Sequence, residues 1–284
     1  MIGTFRTRLA AGAAALLAAA LLTGPAQAET TAASLVDPAT PAGVQPTAGP
    51  AGTLVFSDEF TGTALNTAKW KARDQERTEA DRADGLRWWY KPQNVRVVPE
   101  NGGNLAIDLR KLGDKQYAGG RVDTDGIFDY THGTFEARLH VPPTNGHLGA
   151  VWLQTHSWGD IKGSAEDGAE IDLIESAYAT DKYAATIHYD GYGADHVQSA
   201  QVVPAPGLHA DHYHTIGLNW TATRMEFTYD GTVVRTVTDP KLISQVKEYP
   251  ILSHEILEWA AGDVTTAALD YTSTMYVDHV RIWK

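Results

Sequence analysis

Alternation between apolar and polar positions governs the chain from about residue 53 onward. In residues 134–141, Phe135, Ala137, Leu139 and Val141 share one face of an extended strand. Thr134, Glu136, Arg138 and His140 share the other. Pro142-Pro143 ends that run. Residues 225–229 and 232–237 flank Asp230-Gly231, the dipeptide favoured by a type I′ hairpin. Residues 275–283 form a further β-rich run. Turn signals recur at Asn101-Gly102-Gly103, Asp125-Gly126, His132-Gly133 and Asn145-Gly146. Only residues 240–247 read as helical, for one or two turns. Many short strands in one domain predict an all-β fold, a large antiparallel sandwich.

The first 52 residues carry a different pattern. Arg6 and Arg8 precede an unbroken Ala/Leu/Gly stretch over residues 9–22, shorter than the ~20 residues of a spanning helix. Ala26-Gln27-Ala28 then supplies a small-x-small cleavage signature, so residues 1–28 read as a secretory signal peptide. A secreted, extracellular protein is expected, free of the membrane after cleavage. Residues 29–52 hold Pro38, Pro41, Pro46 and Pro50 among Ala, Thr and Gly, and read as a flexible linker. The folded domain is then residues 53–284.

Composition narrows the function. Hydrophobic residues make up 43% of the 284 and charged residues 20%, enough for a large core. Lys and Arg number 23 against 35 Asp and Glu, for a net charge of −12. Such a chain is a poor partner for nucleic acid or anionic lipid. Cysteine is absent, which excludes disulfides, thiolate nucleophiles and Cys-based metal sites.

The informative segment is Gly168-Ala169-Glu170-Ile171-Asp172-Leu173-Ile174-Glu175-Ser176. In a strand, Glu170 and Asp172 share a face, and Ile171 and Leu173 point into the core. Glu175 falls on the wrong side unless one extra residue, a β-bulge near Leu173-Ile174, restores it. Three carboxylates would then line one stripe and raise one another's pKa. That suits a retaining glycosidase, which needs one ionised and one protonated carboxyl about 5–5.5 Å apart. A solvated acidic edge strand is the competing reading, and the spacing alone leaves the two level.

Residues 170–175 resemble the active-site signature of glycoside hydrolase family 16, in its bulged, laminarinase-like branch. The resemblance extends in order along residues 54–283. Phe56-Ser57-Asp58-Glu59-Phe60 with Lys69-Trp70 is similar to the family's opening strand. Gly103-Asn104-Leu105-Ala106-Ile107, then Gly133-Thr134-Phe135-Glu136-Ala137, are similar to the stretches before the catalytic strand. Tyr276-Val277-Asp278-His279-Val280-Arg281-Ile282 is similar to the last strand. The resemblance implies a concanavalin-like β-jelly-roll sandwich of two antiparallel sheets, with a carbohydrate cleft on the concave face. It implies Glu170 as nucleophile, Glu175 as acid/base and Asp172 as the carboxylate that orients the nucleophile. It also implies a structural calcium held near Glu59, Gly103 and Asp278, the competing reading being that Asp278 pairs with an arginine, with no cofactor needed for catalysis.

Sugar rings stack on aromatic faces while their hydroxyls bond at the rim. Trp152, Trp158 and Trp259 are the leading substrate-binding candidates. Trp88, read as part of an early loop, and His188, on the strand after the catalytic one, are further candidates. Trp70, Trp220 and Trp283 sit in apolar strand contexts and read as core. His212 and His214 would share a strand face, but their segment resembles an ordinary strand opening. The expected function is a secreted, monomeric, retaining endo-β-glycosidase acting on an internal linkage of a polysaccharide, a β-1,3- or β-1,3-1,4-glucan. Residues 147–152, 188–196 and 254–259 do not match a standard β-1,3-glucanase cleft. An endo-β-galactanase or galactosidase of the same fold is therefore the alternative enzyme, and a non-catalytic lectin is the alternative from another class.

Overall fold

A computed structural model describes residues 34–77, 85–99, 102–143, 146–256 and 272–284. Among these residues the strands are β1 (Leu54–Asp58), β2 (Lys71–Ala72), β3 (Gln75–Glu76), β4 (Arg87–Tyr90), β5 (Val95–Val98) and β6 (Asn104–Gly113). They continue as β7 (Gln116–Asp123), β8 (Gly133–His140), β9 (His147–Thr155), β10 (Glu170–Ser176), β11 (Lys182–Tyr189) and β12 (Val197–Pro204). The last are β13 (His214–Thr221), β14 (Arg224–Tyr229), β15 (Thr232–Val237), β16 (Glu248–Ile256) and β17 (Thr272–Trp283).

Two antiparallel layers result. One runs β12-β11-β10-β9-β16-β7-β2. The other runs β15-β14-β13-β8-β17-β6-β5, with β1 also paired to β17. β7 belongs to both, pairing with β6 through its first half and with β16 through its second. The predicted sandwich is therefore present, and its inward positions are those of the alternation. Phe135, Ala137 and Leu139 on β8, and Val141 beyond it, are fully buried. Trp70, Trp220 and Trp283 are buried core residues, as read from their contexts. Asp230 and Gly231 both take positive φ, which is the geometry of the type I′ turn between β14 and β15.

Three expectations are corrected. Residues 240–247 form only a single 3-10 turn, Pro240–Leu242, capped by Asp239. Trp88 stands on strand β4, not in a loop, because Arg87–Tyr90 pairs with the first half of β7 in parallel. The linker reading of residues 29–52 fails over residues 34–52, which lie on the sandwich. Leu35 packs against the core, the Trp283 indole donates to the Val44 carbonyl at 3.2 Å, and the Thr47 amide donates to Glu136 at 2.7 Å. The polar groups of this Pro-rich strap find partners across the fold, and its prolines lower the entropy lost in laying it down. Residues 1–28, the start of the linker at 29–33, and Trp259 lie outside the described residues.

The carboxylates expected at a calcium ion do not fit one. Glu59 accepts two hydrogen bonds from the Arg281 guanidinium, at 2.9 and 2.7 Å, and a third from Thr40. Asp278 is 3.1 Å from Arg138 and 2.8 Å from His279. Each carboxylate is neutralised by its own arginine, so they do not converge as the anionic oxygens a hard cation requires. Gly103 has a packing reason of its own. Its φ is +117°, and a Cβ there would stand 2.4 Å from the Phe60 carbonyl oxygen.

Candidate active site

β10 carries the carboxylates because its register slips once. Against β9, Asp172 pairs with Trp152 and Ile174 with Val151, so Leu173 is the extra residue. Against β11, Asp172 pairs with Thr186 and Glu175 with Ala184. This is the bulge the sequence required. Leu173 and Ile174 both end in the core, and Glu175 returns to the face of Glu170 and Asp172.

The three carboxylates line a cleft of about 490 Å³. Trp152 and Trp88 line it too, together with Arg77, Tyr192 and Glu255. Glu170 is opposite Gln154 on β9, and the Gln154 amide donates to its Oε2 at 3.0 Å. The Tyr192 hydroxyl donates to the same oxygen, and Gln154 also donates to the Tyr192 oxygen at 2.7 Å. Glu175 accepts from Thr186 at 2.6 Å. His188 Nε2 lies 3.3 Å from Asp172 Oδ2 and 3.8 Å from Glu170 Oε1.

Burial and mutual repulsion act on all three acids. Burial, then the charge of Asp172, pushes the Glu170 carboxyl up to about 8, against the opposing hydroxyl of Tyr192. Burial, then Glu175 and Glu255, drives Asp172 well above the usual carboxylate range. Burial also raises Glu175, with the Thr186 hydroxyl opposing. The group therefore titrates as a unit and retains a proton where isolated carboxylates would be ionised. One site then offers both an ionised carboxylate and a proton donor.

Of the aromatic candidates, Trp152 and Trp88 reach the cleft. The Trp152 indole N–H donates to Ser253 at 3.1 Å, and Arg121 covers its ring at 5.0 Å. Trp158 does not line the cleft, but meets the Tyr192 ring edge-on at 5.2 Å and supports it. His188 faces the carboxylates, and its other ring nitrogen is 2.8 Å from His196. His214 is taken by Asp230 and the Gly207 carbonyl, consistent with a strand opening.

Four further residues of the site escaped the sequence reading: Glu255, Tyr192 and Arg77, which line the cleft, and Gln154, which donates to Glu170. Glu255 is a fourth buried acid, accepting from Tyr90 at 2.6 Å and from Ser253 at 3.0 Å. The one available signal was period two on β16, where Ser253 and Glu255 share a face. Tyr192 and Arg77 are brought in from loops, which have no such periodicity.

The sequence model of glycosyl hydrolases family 16 matches residues 83–278. Among curated proteins, glucan endo-1,3-beta-glucosidase A1 of Niallia circulans is 23% identical over 261 residues, covering 81% of this chain and 38% of that protein. The chain spans 38–43% of the length of the curated relatives it matches. Among solved structures, SCLam, a non-specific endo-β-1,3(4)-glucanase, superposes with a TM-score of 0.64 at 28% identity, covering 82% of this chain and 91% of that one. A Bacteroides ovatus mixed-linkage glucan enzyme, solved with a G4G4G3G product, superposes with a TM-score of 0.65 at 20% identity, covering 80% and 99%.

Proposed function

Because the chain belongs to glycosyl hydrolases family 16, we propose that it is a retaining endo-β-glucan hydrolase whose chemistry is carried by Glu170, Asp172 and Glu175. The observation that carries this reading is the bulge at Leu173, which gathers all three acids on the floor of one cleft. Glu170 attacks the anomeric carbon and forms a covalent glycosyl-enzyme. Glu175 protonates the leaving oxygen and then deprotonates the incoming water. Two donors, Gln154 and Tyr192, converge on Glu170 and favour its ionised form, as a nucleophile requires. Asp172, buried between the two, keeps a proton within the group and orients Glu170.

The substrate reading is a β-1,3- or mixed-linkage β-1,3-1,4-glucan. It is supported by the activities of the curated relatives and of SCLam, and by a cleft with Trp152 and Trp88 at its wall. The basic and apolar pattern of residues 6–28 supports export, which would place the enzyme's action outside the cell. Reducing ends should appear from laminarin and barley glucan, and the first product seen by NMR should be the β-anomer. Release only from agarose or galactan would move the substrate to the galactan class. Binding without release from any of the four would make the protein a lectin.

Tyr192→Phe tests the role of the donor on Glu170. A hydrogen bond to a charged group contributes about 1.5–3 kcal/mol, so kcat/KM should fall roughly 10- to 100-fold. The hydroxyl lowers the Glu170 pKa, so its loss raises that pKa further. The acidic limb of the kcat/KM profile should therefore move to higher pH. An unmoved limb would show that Tyr192 does not act on Glu170.

A further inference from the structure

One cluster in the cleft has a property that glycoside hydrolysis does not use. Glu170, Asp172 and His188 place a ring nitrogen and two carboxylate oxygens within 4.8 Å of one another. His188 Nε2 is 3.3 Å from Asp172 Oδ2 and 3.8 Å from Glu170 Oε1. Ligand atoms bound tetrahedrally at about 2.1 Å from a zinc ion stand roughly 3.4 Å apart, so small movements suffice to close on one.

Two further observations point to a ligand. Asp172 is only 4% exposed, yet its Oδ2, the atom facing His188, is buried without a hydrogen-bond partner. His188 Nδ1 lies 2.8 Å from His196 Nε2. When Nδ1 donates to His196, the Nε2 lone pair faces the two carboxylates. That is the outer-shell arrangement that fixes the tautomer of a metal-binding histidine. Glu170 uses its Oε2 for Gln154 and Tyr192 and turns Oε1 toward His188.

We propose that Glu170, Asp172 and His188 form a binding site for a divalent transition-metal ion of the zinc or copper class, whose occupancy blocks the cleft against the glycan. One imidazole with two carboxylates suits borderline ions, whereas magnesium and calcium favour all-oxygen shells with more ligands. The ion takes no part in hydrolysis. It sits on the carboxylates that hydrolysis needs, so binding is inhibitory and competes with substrate. The inhibition rests on the reading of Glu170 and Asp172 given above, but the binding does not.

Calorimetric titration with zinc chloride tests the binding directly. The wild-type protein should take one ion at this site and give no matching heat with magnesium chloride. His188→Asn should weaken zinc affinity 100-fold or more, and Asp172→Asn should do the same by a second route. His196→Ala, which touches no ion, should cost on the order of 10-fold through the outer shell. His212→Ala, on the exposed turn before β13, should leave affinity unchanged. Melting curves of each variant establish that it is folded. Zinc should inhibit glucan hydrolysis competitively and EDTA should reverse it, with the inhibition constant rising in His188→Asn in step with the calorimetry. Equal zinc affinity in wild type and folded His188→Asn would overturn the proposal. Zinc binding by a protein that hydrolyses no glucan would keep the site and remove only the functional reading.

Discussion

Glu170→Ala and Glu175→Ala should each lower turnover on glucan by on the order of 10⁴-fold or more, measured as reducing-end release. The two losses differ in kind, and azide separates them on a glycoside with an activated leaving group. In Glu170→Ala, azide takes the place of the missing nucleophile and should yield the α-glycosyl azide. In Glu175→Ala the covalent intermediate still forms, and azide should displace it to yield the β-glycosyl azide. Exchange of the two anomers would reverse the assignment. A second signature follows from the raised carboxyls. The folded Glu170 pKa lies above its ordinary value, so the folded state holds protons that the unfolded state releases. The Glu170 contribution to stability is therefore fully present below about pH 4 and is lost as pH rises toward 8. Glu170→Gln should remove that loss and melt higher than wild type at pH 8, with the advantage gone at pH 4. An inactive variant that outlasts the active protein is the expected form of a stability–activity trade-off.

Trp70→Ala should cost about 3–5 kcal/mol, a large part of the ~5–15 kcal/mol by which domains are stable. The Trp70 ring is 1% exposed, meets Phe56 edge-on at 5.5 Å and lies 6.0 Å from Phe60. Its indole N–H also donates to Asp58 at 2.9 Å. Truncation opens a cavity and withdraws a donor from a buried carboxylate, and both effects act in the same direction. Urea unfolding should show a lower midpoint with little change in slope. Trp89→Ala, on the half-buried side of β4, should move the midpoint far less. Equal losses at the two positions would contradict the core assignment.

The contrast between Trp70 and Trp88 shows what a single sequence exposes. Strand periodicity is local, so β8, the hairpin of β14 and β15, and the bulged β10 could be read from a few residues each. The bulge itself was legible because Glu175 had no other way onto the face of Glu170. What could not be read depends on partners far along the chain. Arg281 reaches Glu59 across 222 positions and displaces the expected calcium chemistry. Residues 34–52 have the composition of a linker, and distant partners such as Glu59, Glu136 and Trp283 reveal that they are seated. Arg87–Tyr90 pairs in parallel with the start of β7, a contact that no alternation within four residues announces. Tyr192 and Glu255 enter the cleft from a loop and from a strand on the far side of β9, so proximity to β10 in sequence gave no guide.

β17 pairs with β8, β6 and β1, so the strand that completes their layer is the last one described along the chain. The Thr53 and Lys284 backbones close that layer with reciprocal hydrogen bonds at 2.6 and 2.9 Å. During synthesis, β1, β6 and β8 are all made before the strand that joins them. Each presents an open edge until β17 arrives, so the layer cannot form cotranslationally in order. Folding must await the longest loop closures in the molecule, which places it among slow, high-contact-order domains. Stopped-flow refolding should take milliseconds to seconds or longer. A chain ending at residue 271 should show no cooperative unfolding transition and should aggregate through its unpaired edges.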